Sequence, residues 1–174
     1  MLIIGLTASA IASESGEFAD TIMSKSIKRY EYILAKFSSR IIYVMLIYSV
    51  ITLILTGLTL KMALNDYEIY GLIAAVLLVA LLLFMLTSIG IALSTVMPNT
   101  IIAIVTLLIL WYSMTFFFPM LDLEFLSPSN ILTHLSDIIQ GIWTGEEWKF
   151  AVSLITTSIA SMILSTIYFS IKDL

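Results

Sequence analysis

The sequence predicts an all-α fold, a polytopic transmembrane helix bundle with four full spans. Of the 174 residues, 60% are hydrophobic and only 11% are charged, and the mean hydropathy is +1.09. Soluble domains are about half apolar and a quarter charged, and a small soluble domain leaves much of its surface wet. A lipid bilayer removes the cost of exposing so many apolar side chains, so we expect an integral membrane protein without a soluble domain.

Four apolar segments are long enough to cross a hydrocarbon core of about 30 Å, which takes about 20 helical residues. A fifth apolar stretch, residues 1–12, is about half a span, and we interpret it as the end of a membrane helix. The four predicted spans are residues 41–60, 70–97, 100–118 and 150–171.

The segments between the spans contain helix-breaking residues. Pro98 and Asn99 separate the second span from the third, and Pro119 follows the third. Since proline interrupts the backbone hydrogen bonding of a helix, these residues mark the ends of the spans. We expect residues 119–149 to form a loop outside the cytoplasm, with a short helix near residues 131–142. The whole chain, residues 1–174, is predicted to be one transmembrane domain.

The distribution of positive charge predicts the orientation, since short cytoplasmic loops are enriched in lysine and arginine. Five of the eight basic residues lie within residues 25–40, so we place residues 13–40 and the C-terminus in the cytoplasm of a multi-pass protein of the cell membrane. By alternation the basic residues inside are Lys25, Lys28, Arg29, Lys36, Arg40 and Lys172, and those outside are Lys61 and Lys149. The outer segments carry seven acidic residues: Asp66, Glu68, Asp122, Glu124, Asp137, Glu146 and Glu147.

The loop at residues 13–40 contains two apolar stripes at helical spacing. The first predicts a short amphipathic helix along the cytoplasmic membrane surface, with acids in its first turns and bases at its far end, as the helix dipole favours. Such a helix either anchors the loop to the membrane or docks a cytoplasmic partner. The first stripe is Phe18, Ala19, Ile22 and Met23, and the second is Tyr30, Ile33, Leu34 and Phe37.

The same loop resembles the first cytoplasmic loop of type-2 ABC transporter permeases. Those permeases often carry a run similar to Gly-Thr-Leu-Glu-x-Leu-Leu-Ser-x-Pro-x-Ser-Arg-x-Glu, with a lysine shortly before the next span. Aligned on Ser24, the chain matches this run at Arg29 and Glu31, and Lys36 supplies the lysine. Asp20 stands in place of the glutamate, and Ile22 and Met23 stand in place of the paired leucines. The chain departs from the run where Glu17 and Phe18 replace Gly-Thr and where Ser26 replaces the proline.

The resemblance implies a mechanism and a set of partners. In such transporters a separate ATPase subunit holds this loop, the coupling helix, and ATP-driven closure of two ATPases switches the pathway between two permease chains. It therefore implies an ABC ATPase subunit, a second permease chain in a homo- or heterodimer, and membrane lipid as partners, with ATP on the ATPase and no cofactor in this chain. The implied ATPase contact comprises Glu14, Gly16, Glu17, Asp20, Ser24, Lys25 and Arg29.

Permeases of this kind normally have six spans, whereas four and a half are predicted here. We expect either a fragment of a longer permease or a second polypeptide that supplies the missing part.

Other function classes lack the residues they need. There is no Gly-x-x-x-x-Gly-Lys loop for ATP, no cysteine, and a single histidine, His134. The interiors of the four spans contain no Asp, Glu, Lys, Arg or His, which intramembrane proteases and proton-coupled carriers require. We therefore expect no catalytic residues, no metal site and no enzymatic activity, and the chain lacks the basic surface that binds nucleic acid.

Small polar residues are frequent in the spans, where they typically allow helices to pack closely. In the last span Ser153, Thr157, Ser161 and Ser165 recur every four residues. This stripe predicts a seam for helix packing or for a permease dimer.

The leading prediction is the membrane subunit of an ATP-driven transporter, an exporter by its resemblance. The alternative is a membrane anchor or scaffold that binds a cytoplasmic partner without transporting anything. A third possibility is a uniporter or channel.

Overall fold

The computed structural model describes residues 29–62, 68–97, 99–123, 127–142 and 145–171. All regular secondary structure in these ranges is helical. Four helices are long and apolar enough to cross a membrane, which confirms the predicted polytopic helical bundle. The helices are α1 (Arg29–Met62), α2 (Ile69–Val96), α3 (Thr100–Met120), α4 (Pro128–Ile139) and α5 (Glu146–Ile171).

The first helix differs from the sequence prediction. It begins at Arg29, so residues 29–40, which we assigned to the cytoplasmic loop, are helical and continuous with the first span. No glycine or proline occurs in α1 before Gly57, so nothing in the chain interrupts the helix between its polar beginning and its apolar middle. The amphipathic helix predicted within residues 13–28 lies outside the described residues.

The helices meet at two well-defined ends of the bundle. At one end the amide of Glu68, just before α2, donates to the carbonyl of Ile139 at 3.0 Å, so the end of α4 lies on the beginning of α2. We call this the α4 end. At the other end the hydroxyl oxygens of Thr95 and Ser165 are 3.2 Å apart, which joins the ends of α2 and α5. We call this the basic end, because Lys36 and Arg40 lie nearby in the first turns of α1.

The centre of the bundle is α2, which packs most extensively against α5 and also contacts α1, α3 and α4. Its side chains form most of the main apolar core, to which α3, α4 and α5 contribute a few residues each. The buried members of this core are Ala75, Leu78, Leu82, Met85, Leu86 and Ile89 from α2, with Leu107, Ile138, Phe150 and Leu154.

One glycine makes the contact between α2 and α4 possible. A Cβ atom on Gly71 would collide with the carbonyl oxygen of Ile138 and would lie 2.8 Å from that of Ile139. The first turn of α2 therefore approaches the backbone at the end of α4 more closely than a side chain permits.

Both ends of α3 are capped within the chain. At its start the Asn99 side-chain oxygen accepts from the amide of Ile101 at 2.9 Å, as an N-cap does. At its end the amide of Leu123 donates to Phe118 at 2.9 Å and that of Asp122 to Pro119 at 3.3 Å, with φ of +56° at Asp122. This is a Schellman motif, with aspartate in the left-handed position that glycine usually occupies.

Candidate functional site

The predicted ATPase contact falls largely outside the described residues. Glu14, Gly16, Glu17, Asp20, Ser24 and Lys25 precede them, and Arg29 is the first residue of α1. The structure therefore describes the element that directly follows the predicted contact, and this element joins it to the membrane bundle.

The first turns of α1 are fixed to the bundle by a small apolar cluster at the basic end. Ile33 and Phe37 of α1 and Ile91 of α2 are each 0% exposed, and they contact one another in a cluster separate from the main core. Ile41 of α1 and Met162 of α5 pack against it. We call Ile33, Phe37, Ile91 and Met162 the α1 anchor, since these four residues join α1 to both central helices.

The apolar stripe predicted for this region is only partly buried. Ile33 and Phe37 are in the anchor, whereas Leu34 is 40% exposed. Lys36 and Arg40 are half-buried and, by helical spacing, flank the buried face. The long stems of such side chains can cover apolar surface while the charges reach water or lipid phosphate.

The helices α2 and α5 contain buried hydroxyl groups. Thr87 and Ser88 are 0% exposed, Ser94 2% and Ser158 0%. Thr87 donates to Leu83 at 2.7 Å, Ser88 to Phe84 at 2.9 Å and Ser158 to Leu154 at 2.7 Å, each time to a carbonyl of its own helix. Their hydrogen bonds are satisfied locally, so these residues allow close packing without requiring a bound substrate.

The predicted seam on α5 is divided between two environments. Ser165 is 2% exposed and contacts Thr95, whereas Ser153, Thr157 and Ser161 are half-buried. Ser153 and Thr157 border a shallow open groove on the outer surface of α5, together with Trp148, Lys149, Val152 and Thr156. Contact of this surface with a second permease chain stays a prediction.

No catalytic or metal-binding constellation is apparent within the described ranges. No group of three or more histidine, cysteine, aspartate or glutamate residues there could hold a metal ion. His134 is exposed, and its Nδ1 lies 3.3 Å from the hydroxyl oxygen of Thr133. What the described geometry offers is a helical bundle with a basic end and a first helix that packs on the bundle through Ile33 and Phe37 near its beginning.

Comparison with protein families decides what kind of bundle this is. The model of a family described as ABC-2 family transporter protein matches residues 1–174. The chain belongs to the ABC-2 transporter family. No curated protein and no solved structure matches it.

Membership identifies the chain as a membrane permease component of an ABC transporter. Permease domains of the ABC-2 family are transmembrane subunits without an ATPase site of their own, and they work with an ATPase subunit. The resemblance read from the loop at residues 13–40 is thus confirmed at the level of the family.

Several contacts of this ABC-2 permease were not predicted from the sequence. Ile91 and Met162 lie in spans whose large apolar residues occur on every face, so hydropathy does not distinguish these two from lipid-facing neighbours. The hydroxyl of Tyr48 donates to the carbonyl of Val76 at 2.8 Å, a bond between α1 and α2 that no local pattern signals. Gly71 carried a usable signal, since it is an isolated glycine inside an apolar helix and such a residue often marks close packing.

Proposed function

We propose that this ABC-2 permease is the membrane subunit of an ATP-driven exporter. Two permease chains would form the pathway, and two copies of a separate ATPase subunit would drive it. ATP binds to the ATPase, and no cofactor is needed in the permease. The observation that carries the proposal is the family match over residues 1–174; the export direction is supported by the resemblance of residues 13–40 to type-2 permeases.

The charges at the two ends of the bundle support an orientation with the basic end in the cytoplasm. Arg29, Lys36 and Arg40 belong to the first turns of α1. The α4 end is mainly acidic. Its acidic residues within the described ranges are Glu68, Asp122, Asp137, Glu146 and Glu147, and its basic residues there are Lys61 and Lys149. Because positive residues are retained on the cytoplasmic side, the segment preceding α1 would face the cytosolic ATPase.

The ATPase would bind the polar residues of this segment. Acidic side chains gain nothing from anionic lipid, so the acids among its bases favour a protein partner over simple membrane anchoring. Lys28 and Lys36 would pair with acids of the ATPase or with lipid phosphate. The proposed contact residues are Glu14, Gly16, Glu17, Asp20, Ser24, Lys25 and Arg29.

Co-purification with the ATPase tests this proposal. The permease is co-expressed with an ATPase subunit encoded beside it and purified in mild detergent with and without ATP. We expect nucleotide-dependent association that is lost in Asp20→Lys, which reverses a charge in the contact, and in Ser24→Trp, which adds bulk there. Asp137→Lys is the matched control, since it makes the same charge reversal at the α4 end and should bind like the parent.

Three results would contradict the proposal. Association that Asp20→Lys and Ser24→Trp leave unchanged would place the contact elsewhere. Association without any effect of the permease on ATP hydrolysis would favour the non-transporting scaffold. Solute flux in liposomes that contain this chain alone, without ATP, would favour a uniporter or channel.

A further inference from the structure

The contacts of α1 with the rest of the bundle are concentrated in its residues 33–48, which extend from the basic end to the level of Val76 in α2. Among its residues with described side chains, the buried ones are Ile33, Phe37 and Val44, and the Tyr48 hydroxyl makes the bond to α2. Residues 49–58 are exposed or half-buried throughout, and Leu53 reaches 75% exposure. A displacement of α1 would therefore act on its neighbours mainly through its first half.

The anchor joins α1 to the two helices that are packed most firmly together. Ile91 belongs to α2 and Met162 to α5, and these helices share the most extensive interface of the bundle. Their buried apolar side chains and the contact between Thr95 and Ser165 leave little freedom for either helix to move alone, because packed interiors are dense. A displacement of the anchor would therefore move α2 and α5 together.

The helix that carries the anchor begins immediately after the proposed ATPase contact. Arg29 is both a member of that contact and the first residue of α1, and Phe37 lies about 12 Å further along the axis at 1.5 Å per residue. The helix continues unbroken through this stretch. A continuous helix transmits displacement along its axis without a flexible joint.

We propose that the α1 anchor is the contact through which movement of the ATPase-bound segment reaches α2 and α5. This inference rests on the proposed function and deepens it by assigning the coupling to Ile33 and Phe37. The anchor stays closed during the ATP cycle and α1 moves together with α2 and α5, instead of sliding past them.

Reporter cysteines at the far end of the bundle can detect such movement. The chain contains no cysteine, so each introduced thiol is the sole labelling site of the permease. Trp148 of α5 is 74% exposed and Tyr70 of α2 is 77% exposed, both at the α4 end. Trp148→Cys and Tyr70→Cys are prepared separately in the permease–ATPase complex in liposomes, and labelling by a membrane-impermeant maleimide is measured with and without ATP and vanadate.

The decisive comparison is between two double variants of α1. Ile33→Ala with Phe37→Ala removes the α1 side of the anchor. Leu34→Ala with Tyr43→Ala removes one aliphatic and one aromatic side chain from positions that are 40% and 49% exposed. We expect nucleotide to change the labelling rate in the parent and in the control pair. In the anchor pair this response is lost, while ATPase binding and ATP hydrolysis persist.

Each other outcome has a defined meaning. A nucleotide response that persists in the anchor pair overturns the inference, and so does a parent complex that hydrolyses ATP without any response at either reporter. Should the anchor pair fail to fold, Phe37→Leu replaces it, because leucine conserves most of the side-chain volume. The inference then requires that Phe37→Leu weakens the nucleotide response more than the control Tyr43→Leu does. A parent permease that binds no ATPase refutes the proposed function itself, which separates that failure from failure of the anchor.

Discussion

The spans α2 and α3 are both apolar helices that follow each other in the chain, yet α2 lies at the centre of the bundle and α3 at its periphery. Thirteen residues of α2 are buried, whereas only Ala103 and Leu107 are buried in α3. Both are strongly apolar helices, so hydrophobicity alone does not explain the difference. Lipid is as apolar as leucine, and the hydrophobic effect therefore gives little reason to choose a protein neighbour over a lipid one.

The difference lies in the small residues. Buried positions of α2 include Gly71, Ala75, Gly90, Ser94 and Thr95, which let other helices approach its backbone. Along α3 such positions are few, and its aromatic residues Tyr112, Phe116 and Phe117 are exposed around a shallow apolar groove. Van der Waals packing around small residues thus places α2 at the centre, as expected for association of helices in membranes.

The largest expected effect comes from a cavity in the core of α2. Leu82→Ala removes a side chain that is 6% exposed, and we expect a loss of about 2–5 kcal/mol in the free energy of unfolding. Leu77→Ala makes the same change at a site that is 58% exposed, with an expected effect of about 0.5 kcal/mol or less. Unfolding in mixed micelles measures both; equal losses would show that packing against protein does not distinguish these two faces.

A smaller effect is expected where α2 meets α4. Gly71→Ala places a methyl group against the carbonyls of Ile138 and Ile139, and because backbone must move to accept it, we expect a loss of about 1–3 kcal/mol. Gly57→Ala is the control, since nothing lies within 4 Å of its added Cβ; it should be neutral or stabilising by about 1 kcal/mol. Thermal unfolding in detergent measures the stability of both variants, and equal stabilities would contradict the close approach of α2 and α4.

The smallest effect concerns the hydroxyl pair at the basic end. A double-mutant cycle with Thr95→Val and Ser165→Ala should give a coupling energy of about 0.6 kcal/mol and no more than about 1.7 kcal/mol, as for other interhelical hydrogen bonds in membranes. The Thr95 hydroxyl has an alternative, since it also donates to Ala92 at 2.7 Å. A coupling energy of zero would mean that the hydrogen bond does not stabilise the contact between α2 and α5 at this end, and that close packing alone holds the two helices together there.

Much of the fold can be predicted from the sequence, because long apolar segments and their breaks are local properties of the chain. Four spans and a short helix in the last loop follow from hydropathy, proline and glycine. The stripe at Ile33 and Phe37 indicated helical spacing within the predicted cytoplasmic loop, but the sequence did not show that this stretch joins the first span in one continuous helix from Arg29.

The arrangement of the helices could not be predicted in the same way. In α2, Ile89 and Ile91 are buried while Leu77 and Ile73 of the same helix are exposed, and no periodicity separates them because large apolar residues occupy every face of the helix. The site was predicted only through a resemblance, on residues 14–36, of which residues 14–28 precede what the structure describes. The α1 side of the anchor follows the predicted stripe at Ile33 and Phe37, but its partners Ile91 and Met162 lie in distant segments that no local pattern connects to it.

The brevity of the connection between α2 and α3 has a mechanical consequence. Val96 and Thr100 are separated by four peptide units, which span at most about 14 Å when extended, and packed helices lie about 8–10 Å apart. The two spans are thus tethered where one ends and the other begins. Because the tether exceeds the packing distance by only about 4–6 Å, α3 can separate from α2 by no more than that near Asn99, and any wider opening lies toward the α4 end.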